Sequence, residues 1–226
     1  MPNWDEDSPQ LRENLNQVFE EIVRASQQRE KPTVAAARAW QTLIMQGLDV
    51  PDPQYVGAFR GEPGLESIQV RVGSNYGVIS RQVAGELKRF EAKLQMLVSE
   101  MDALLPAGQE PDADQLAAII DLCAWVHAEW VRIHPFANGN GRTARLWANS
   151  LALRYGLPPF IRLRPRPNAG YGEAGAEAMH GDWKPTVAVF RRLLDDFLNE
   201  AKGPSSPVRP PQEKSRTADK KRKKGA

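Results

Sequence analysis

A single cysteine, Cys123, leaves this chain unable to close an internal disulfide and excludes any cysteine-rich zinc site. Histidine is nearly as scarce. His127, His134 and His180 are all there are, too few to suggest a structural metal centre. No apolar run nears the roughly 18 residues that cross a bilayer, so no membrane span is expected. The acidic start, Met1 to Asp7, is unlike a secretory leader, and a cytoplasmic protein is the expectation. The Gly-Lys-Ser/Thr core of a P-loop does not occur, and no internal repeat is visible.

What is present is ordinary in amount. A hydrophobic fraction of 41% and a charged fraction of 26% in 226 residues suit one well-buried domain. Charge is unevenly spread. Residues 202–226 hold nine Lys/Arg and two Asp/Glu, a net of +7, which leaves the rest at −5 against a total of +2. A mildly acidic body argues against specific nucleic-acid binding. The tail itself, rich in Pro, Ser, Lys and Arg, reads as disordered. Its Lys220–Lys224 run is a solvated or nonspecific anion-facing segment, or a delivery signal.

Hydrophobic spacing predicts helices over 10–29, 33–46 and 82–105, and another capped by Asp112 or Asp114 that runs to Ile133. Further helices are expected over 141–155 and from about Pro185 to Ala201. An arginine- and proline-rich connector, Arg162 to Pro167, leads to Tyr171–His180. Between 66 and 79 the pattern changes to period two: Ile68, Val70 and Val72 alternate with Gln69 and Arg71. Turn chemistry follows at Gly73 to Gly77, and Val78-Ile79 is the expected returning strand, giving an exposed hairpin. The chain divides into N-terminal helices packing on the core (1–50), a core with the hairpin (51–201) and the basic tail (202–226).

The densest chemistry lies in His134-Pro135-Phe136-Ala137-Asn138-Gly139-Asn140-Gly141-Arg142-Thr143-Ala144-Arg145. Pro135 should end the preceding helix at His134. Phe136 is the loop's large apolar side chain and its natural anchor. Gly139 and Gly141 permit positive φ or close approach to a ligand. Arg142 and Arg145 share one face of the following helix. Cations are unfavourable at a helix N-terminus, so two of them there make sense if an anion sits between them. A di- or triphosphate held on backbone N–H groups and two guanidinium forks, beside a histidine able to take a proton near neutral pH, satisfies all these features. Gly139 to Ala144 also matches the G-x-G-x-x-A dinucleotide pattern, but that motif needs a strand before it and here a helix precedes. His127 and His180 read as hydrogen-bonded structural residues.

The string from His134 to Arg142 resembles the signature of the Fic domain family, His-Pro-Phe-x-(Asp/Glu)-Gly-Asn-(Gly/Lys)-Arg, with the family's downstream arginine present as Arg145. Gly57-Ala58-Phe59-Arg60 and the hairpin after it resemble the family's flap region, and Tyr171 with Ala178 to Asp182 resembles its nucleotide-side segment. The resemblance implies a mainly α fold: a compact helical bundle with a short β-hairpin flap. It implies a protein adenylyltransferase that moves AMP from ATP to a Ser, Thr or Tyr hydroxyl of a target protein. His134 would be the general base. Gly139, Asn140 and Gly141 would form the anion hole, Arg142 and Arg145 would hold the β- and γ-phosphates, and Tyr171 would lie near the base or ribose. The flap would present the target by adding a strand.

One position departs from the signature. Asn138 stands where the family has an acidic Mg²⁺ ligand, and a neutral amide is a weaker ligand for a hard cation. Asn138 is thus the metal-binding and nucleotide-binding candidate, with Mg²⁺ weakly held and ATP as co-substrate. Alternatives are a degenerate fold that binds nucleotide or a protein with little turnover, or transfer of another nucleotide or phosphate moiety. The family's inhibitory helix pattern, Ser/Thr-x-x-x-Glu-Gly/Asn, is approached by Ser8–Asn14, one residue too long, and by Ser26–Glu30, which Lys31 follows. A separate inhibitory protein, or none, is the better expectation.

Overall fold

Helix starts are set by side chains that accept first-turn N–H groups, each worth about 1 kcal/mol. Ser8 Oγ takes the Leu11 N–H at 3.1 Å and opens α1, Pro9–Gln27. Thr33 takes the Ala36 N–H at 3.2 Å and opens α2, Val34–Met45. Between the two candidates for the next cap, Asp112 is the one used. It forms a reciprocal capping box with Gln115 at 2.8 and 2.9 Å and opens α4, Ala113–Ile133. The remaining helices are α3, Ser80–Leu104; α5, Asn140–Arg154; α6, Tyr171–Met179; and α7, Lys184–Ala201. This computed structural model describes residues 7–168 and 170–201, so the basic tail lies outside the described residues.

The hairpin is present but smaller than its sequence pattern predicts. Strands β1, Arg71–Val72, and β2, Asn75–Tyr76, pair antiparallel around Gly73-Ser74, with Arg71 opposite Tyr76 and Val72 opposite Asn75. Val78-Ile79 is not the returning strand; Ile79 is the residue that precedes α3. The physical reason is competition for carbonyls. Those of Ile68 and Val78 accept hydrogen bonds from the Arg60 guanidinium, at 3.3 and 2.7 Å, and Ser80 Oγ also donates to Ile68. They are therefore unavailable to a longer ladder.

α4 is the central helix, touching α3, α5, α6 and α7. Its fully buried Trp130 meets Phe90 at 5.3 Å and Trp147 at 5.8 Å between ring centroids. Phe136, also fully buried, extends this aromatic cluster, 5.9 Å from Trp130 and 4.8 Å from Phe59. The loop of interest is thus anchored in the core by its one large apolar side chain. α1 is joined to α2 through Asn14 Nδ2, which donates to the carbonyls of Ile44 and Gln46, and to α5 through Ser26 Oγ to the Ser150 carbonyl. No described helix is long and apolar enough to cross a membrane.

Candidate active site

The site is built where α4 ends and α5 begins. His134 is the C-cap of α4, in the left-handed conformation at φ 54° and ψ 55° rather than the extended one that Pro135 favours. A non-glycine residue there costs on the order of 1 kcal/mol or more, which the surroundings must offset. They do so on both sides. The Arg60 N–H donates to the Pro135 carbonyl at 2.7 Å, and the Arg60 guanidinium donates to the carbonyls of His134 and Ile133 at 2.7 and 3.0 Å. Gly77 packs so close that a Cβ there would lie 2.6 Å from the Cβ of His134.

One hydrogen bond defines the chemistry of the imidazole. Nδ1 of His134 lies 2.9 Å from the Val131 carbonyl, which can only accept, so Nδ1 carries the proton and Nε2 keeps its lone pair. Burial holds the ring's pKa below its ordinary value; the Val131 bond opposes this and Arg60 reinforces it. His134 is accordingly a neutral base at neutral pH.

The loop between His134 and α5 is fixed by Asn140. Its side chain donates to the Phe136 carbonyl and accepts the Phe136 N–H, both at 2.8 Å. Its contribution to an anion hole is therefore its backbone. Gly139, at φ +88°, is the N-cap of α5, and the first intrahelical bond runs from Thr143 N–H to its carbonyl at 2.9 Å. The N–H groups of Asn140 and Gly141, in the first turn, consequently have no intrahelical acceptor.

Two cavities share His134, Gly141, Arg145, Arg166 and Val72 as a common wall. The first, 490 Å³, is bounded by α6 through Tyr171, Ala176 and Met179 and suits a nucleoside. The second, 440 Å³, is bounded by Asn138, Gly139 and Asn140 and by Arg142. Together they bring all the predicted site residues to one groove. Tyr171 presents its ring to the first cavity, but its hydroxyl turns inward, 2.6 Å from His127 Nε2 and 3.4 Å from Arg145 Nη1. Arg145 can only donate, so the Tyr171 hydroxyl accepts from it and donates to His127. Burial, then Arg145, pushes the His127 pKa down to about 3, which keeps that imidazole neutral.

The residues around position 138 do not fit a protein-held Mg²⁺. The Asn138 amide oxygen already accepts the Gly139 N–H, and the cavity it lines contains no carboxylate but five arginines, at 71, 142, 145, 164 and 166. A hard divalent cation prefers the opposite donor set. Neither segment that approaches the inhibitory pattern contributes a residue to the groove. Glu13 is exposed and bonded to Gln17, and the Glu30 backbone is held by Arg154 on another face.

Arg60, His127, Arg164 and Arg166 were not singled out by the motif. Arg60 sits inside the Gly57–Arg60 segment that the flap resemblance marks, and the connector's arginines were visible only as composition. His127 falls on the same helix face as His134, one helical repeat of seven back, and that spacing was the available signal.

The profile of the Fic/DOC family matches residues 32–152, more than half of the chain, and the chain belongs to that family. A relative from Culex quinquefasciatus described as protein adenylyltransferase Fic is 33% identical over 130 residues, covering 56% of this chain. The chain spans only 25% of that relative's length. Among solved structures, a Fic domain-containing signaling protein from Bacteroides thetaiotaomicron superposes with a TM-score of 0.58 at 19% identity, covering 87% of this chain and 73% of that one. The BepC protein of Bartonella tribocorum, a VirB-translocated effector described with bound AMPPNP, gives 0.52 at 22% identity, covering 85% and 90%. These likenesses show the mainly helical Fic fold with its hairpin.

Proposed function

We propose that the chain is a protein adenylyltransferase, transferring AMP from ATP to a Ser, Thr or Tyr hydroxyl of another protein. The observation that carries this is the His134 tautomer: a buried, neutral imidazole with its Nε2 lone pair available, on the wall between a nucleoside-sized cavity and a cationic helix start. The target oxygen attacks the α-phosphorus as its proton passes to Nε2. The new O–P bond forms as the α–β phosphoanhydride bond breaks, and pyrophosphate leaves. Arg142, Arg145 and the first-turn N–H groups of α5 hold the developing charge on that leaving group. Any Mg²⁺ enters on the nucleotide's own phosphates, not on a protein carboxylate. The adenylyltransferase description of the relative and the AMPPNP described in the neighbour support the choice of ATP.

The target is aligned by the flap, whose short exposed strands leave backbone groups for an added strand. Inhibition by a glutamate is assigned to a separate protein, because neither segment that approaches the inhibitory pattern lines the groove. The carboxylate-free lining favours one second reading, a fold that binds nucleotide with little turnover. Incubation with ATP labelled at the α-phosphate or at the γ-phosphate, and with labelled UTP, separates the readings. Label from the α-phosphate of ATP, lost in His134→Ala, is expected. Label from the γ-phosphate or from UTP would redirect the chemistry, and label only after Asn138→Asp would favour the binding fold.

A further inference from the structure

Resting on the nucleotide reading above, we propose that Arg164 and Arg166 take up polyphosphate charge in place of a protein-held divalent cation. The groove then binds a nucleoside di- or triphosphate without requiring Mg²⁺. The signature and the arginine downstream of it account for two of the five arginines in the phosphate-side cavity, Arg142 and Arg145 of α5. Arg71 comes from β1 of the flap, and Arg164 and Arg166 from the connector between α5 and α6.

That connector is not loosely placed. Asn149 binds the backbone of Ile161 on both sides, donating to its carbonyl at 2.8 Å and accepting its N–H at 3.1 Å. Arg145 Nη2 then donates to the Leu163 carbonyl at 2.9 Å, so Arg164 begins one residue beyond a point tied to the phosphate-binding helix itself. Arg166 lines both cavities, and its Nη2 lies 3.1 Å from where a Cβ on Gly172 would stand, at the start of α6. Arg164 also feels Asp7, an exposed carboxylate whose ion-pair partner is Arg12. Guanidinium groups converging on one carboxylate-free cavity repel each other and any approaching dication, and a polyphosphate relieves that repulsion. Bidentate guanidinium–phosphate bonding supplies the orientation that metal coordination would otherwise give.

Titration calorimetry of the full chain with ADP, in excess EDTA and again in excess Mg²⁺, tests this. The wild-type Kd is expected to differ by no more than about threefold between the two conditions, because no protein ligand awaits the metal. The R164A/R166A variant is expected to lose about tenfold or more in EDTA, the scale of charge-assisted bonds removed. Arg166 is exposed, so R166A alone serves if the double variant does not fold, with a loss of about threefold or more expected. Wild-type binding seen only with Mg²⁺, or arginine variants that bind as wild type does in EDTA, would overturn the proposal while leaving the nucleotide reading intact. No ADP binding in either condition would overturn both.

Discussion

The two nitrogens of His134 have different work to do, and the structure divides it between them. Nδ1–H is spent on the Val131 carbonyl, which leaves Nε2 for the substrate. Because burial first of all depresses this pKa, protonation of the base requires more acid than an ordinary histidine near pH ~6.5 would. A pH–rate profile should therefore show its acid limb below pH ~6.5; a limb above that value, abolished together with His134, would contradict the assignment. The candidate base was legible in the sequence because Pro135 and the glycines mark a helix end. Its support was not, because Arg60 lies 74 residues away and acts on backbone carbonyls, which carry no sequence signature. Burial lowers the Arg60 pKa to about 10, so it remains a cation at neutral pH and complements the negative end of α4.

At the scale of elements, the site is a helix end facing a helix start, with the six residues 134–139 between them. Their spacing depends on Asn140, which satisfies both backbone groups of Phe136 from the first residue of α5. Asn140→Ala should destabilise the fold by about 2–3 kcal/mol, since the Phe136 N–H and carbonyl lose their partners in a buried place. Urea unfolding reads this directly, and a loss under about 0.5 kcal/mol would show that Asn140 is not the clamp. Helices α1 to α5 and α7 are legible in apolar spacing, whereas α6, nine residues long with only Tyr171, Ala174 and Ala178 buried, is too short to show a helical stripe. The hairpin was readable only as a region. Period-two alternation over Ile68–Val72 suggests a longer strand, but ladder formation also needs free carbonyls, and Arg60 and Ser80 take them at Ile68 and Val78. Likewise, the arginines of the connector carry no motif, because what places them is the tie from Asn149 and Arg145 of α5 to the backbone of that loop.

Across the whole molecule, the aromatic core around Trp130 carries the fold, and the nucleotide-side cavity is cut into its edge at His127 and Tyr171. This placement has a cost at low pH. His127 is held neutral down to about pH 3 in the fold, whereas the unfolded chain takes up that proton near pH ~6.5. Between those values the unfolded state binds the extra proton, so stability is fully present above pH ~6.5 and falls as pH drops toward about 3. His127→Phe should flatten this part of the curve of unfolding midpoint against pH, whatever its effect at pH 7; equal slopes in variant and wild type would show that another group is responsible. Function rests on the same architecture, a neutral base and a cationic helix start brought together by the core. The most direct check is the intact mass of protein targets after incubation with the chain and ATP. An added AMP on a hydroxyl side chain is expected with wild type and not with His134→Ala; an adduct formed equally well by that variant, or the transfer of a phosphate instead of AMP, would contradict the role given to His134.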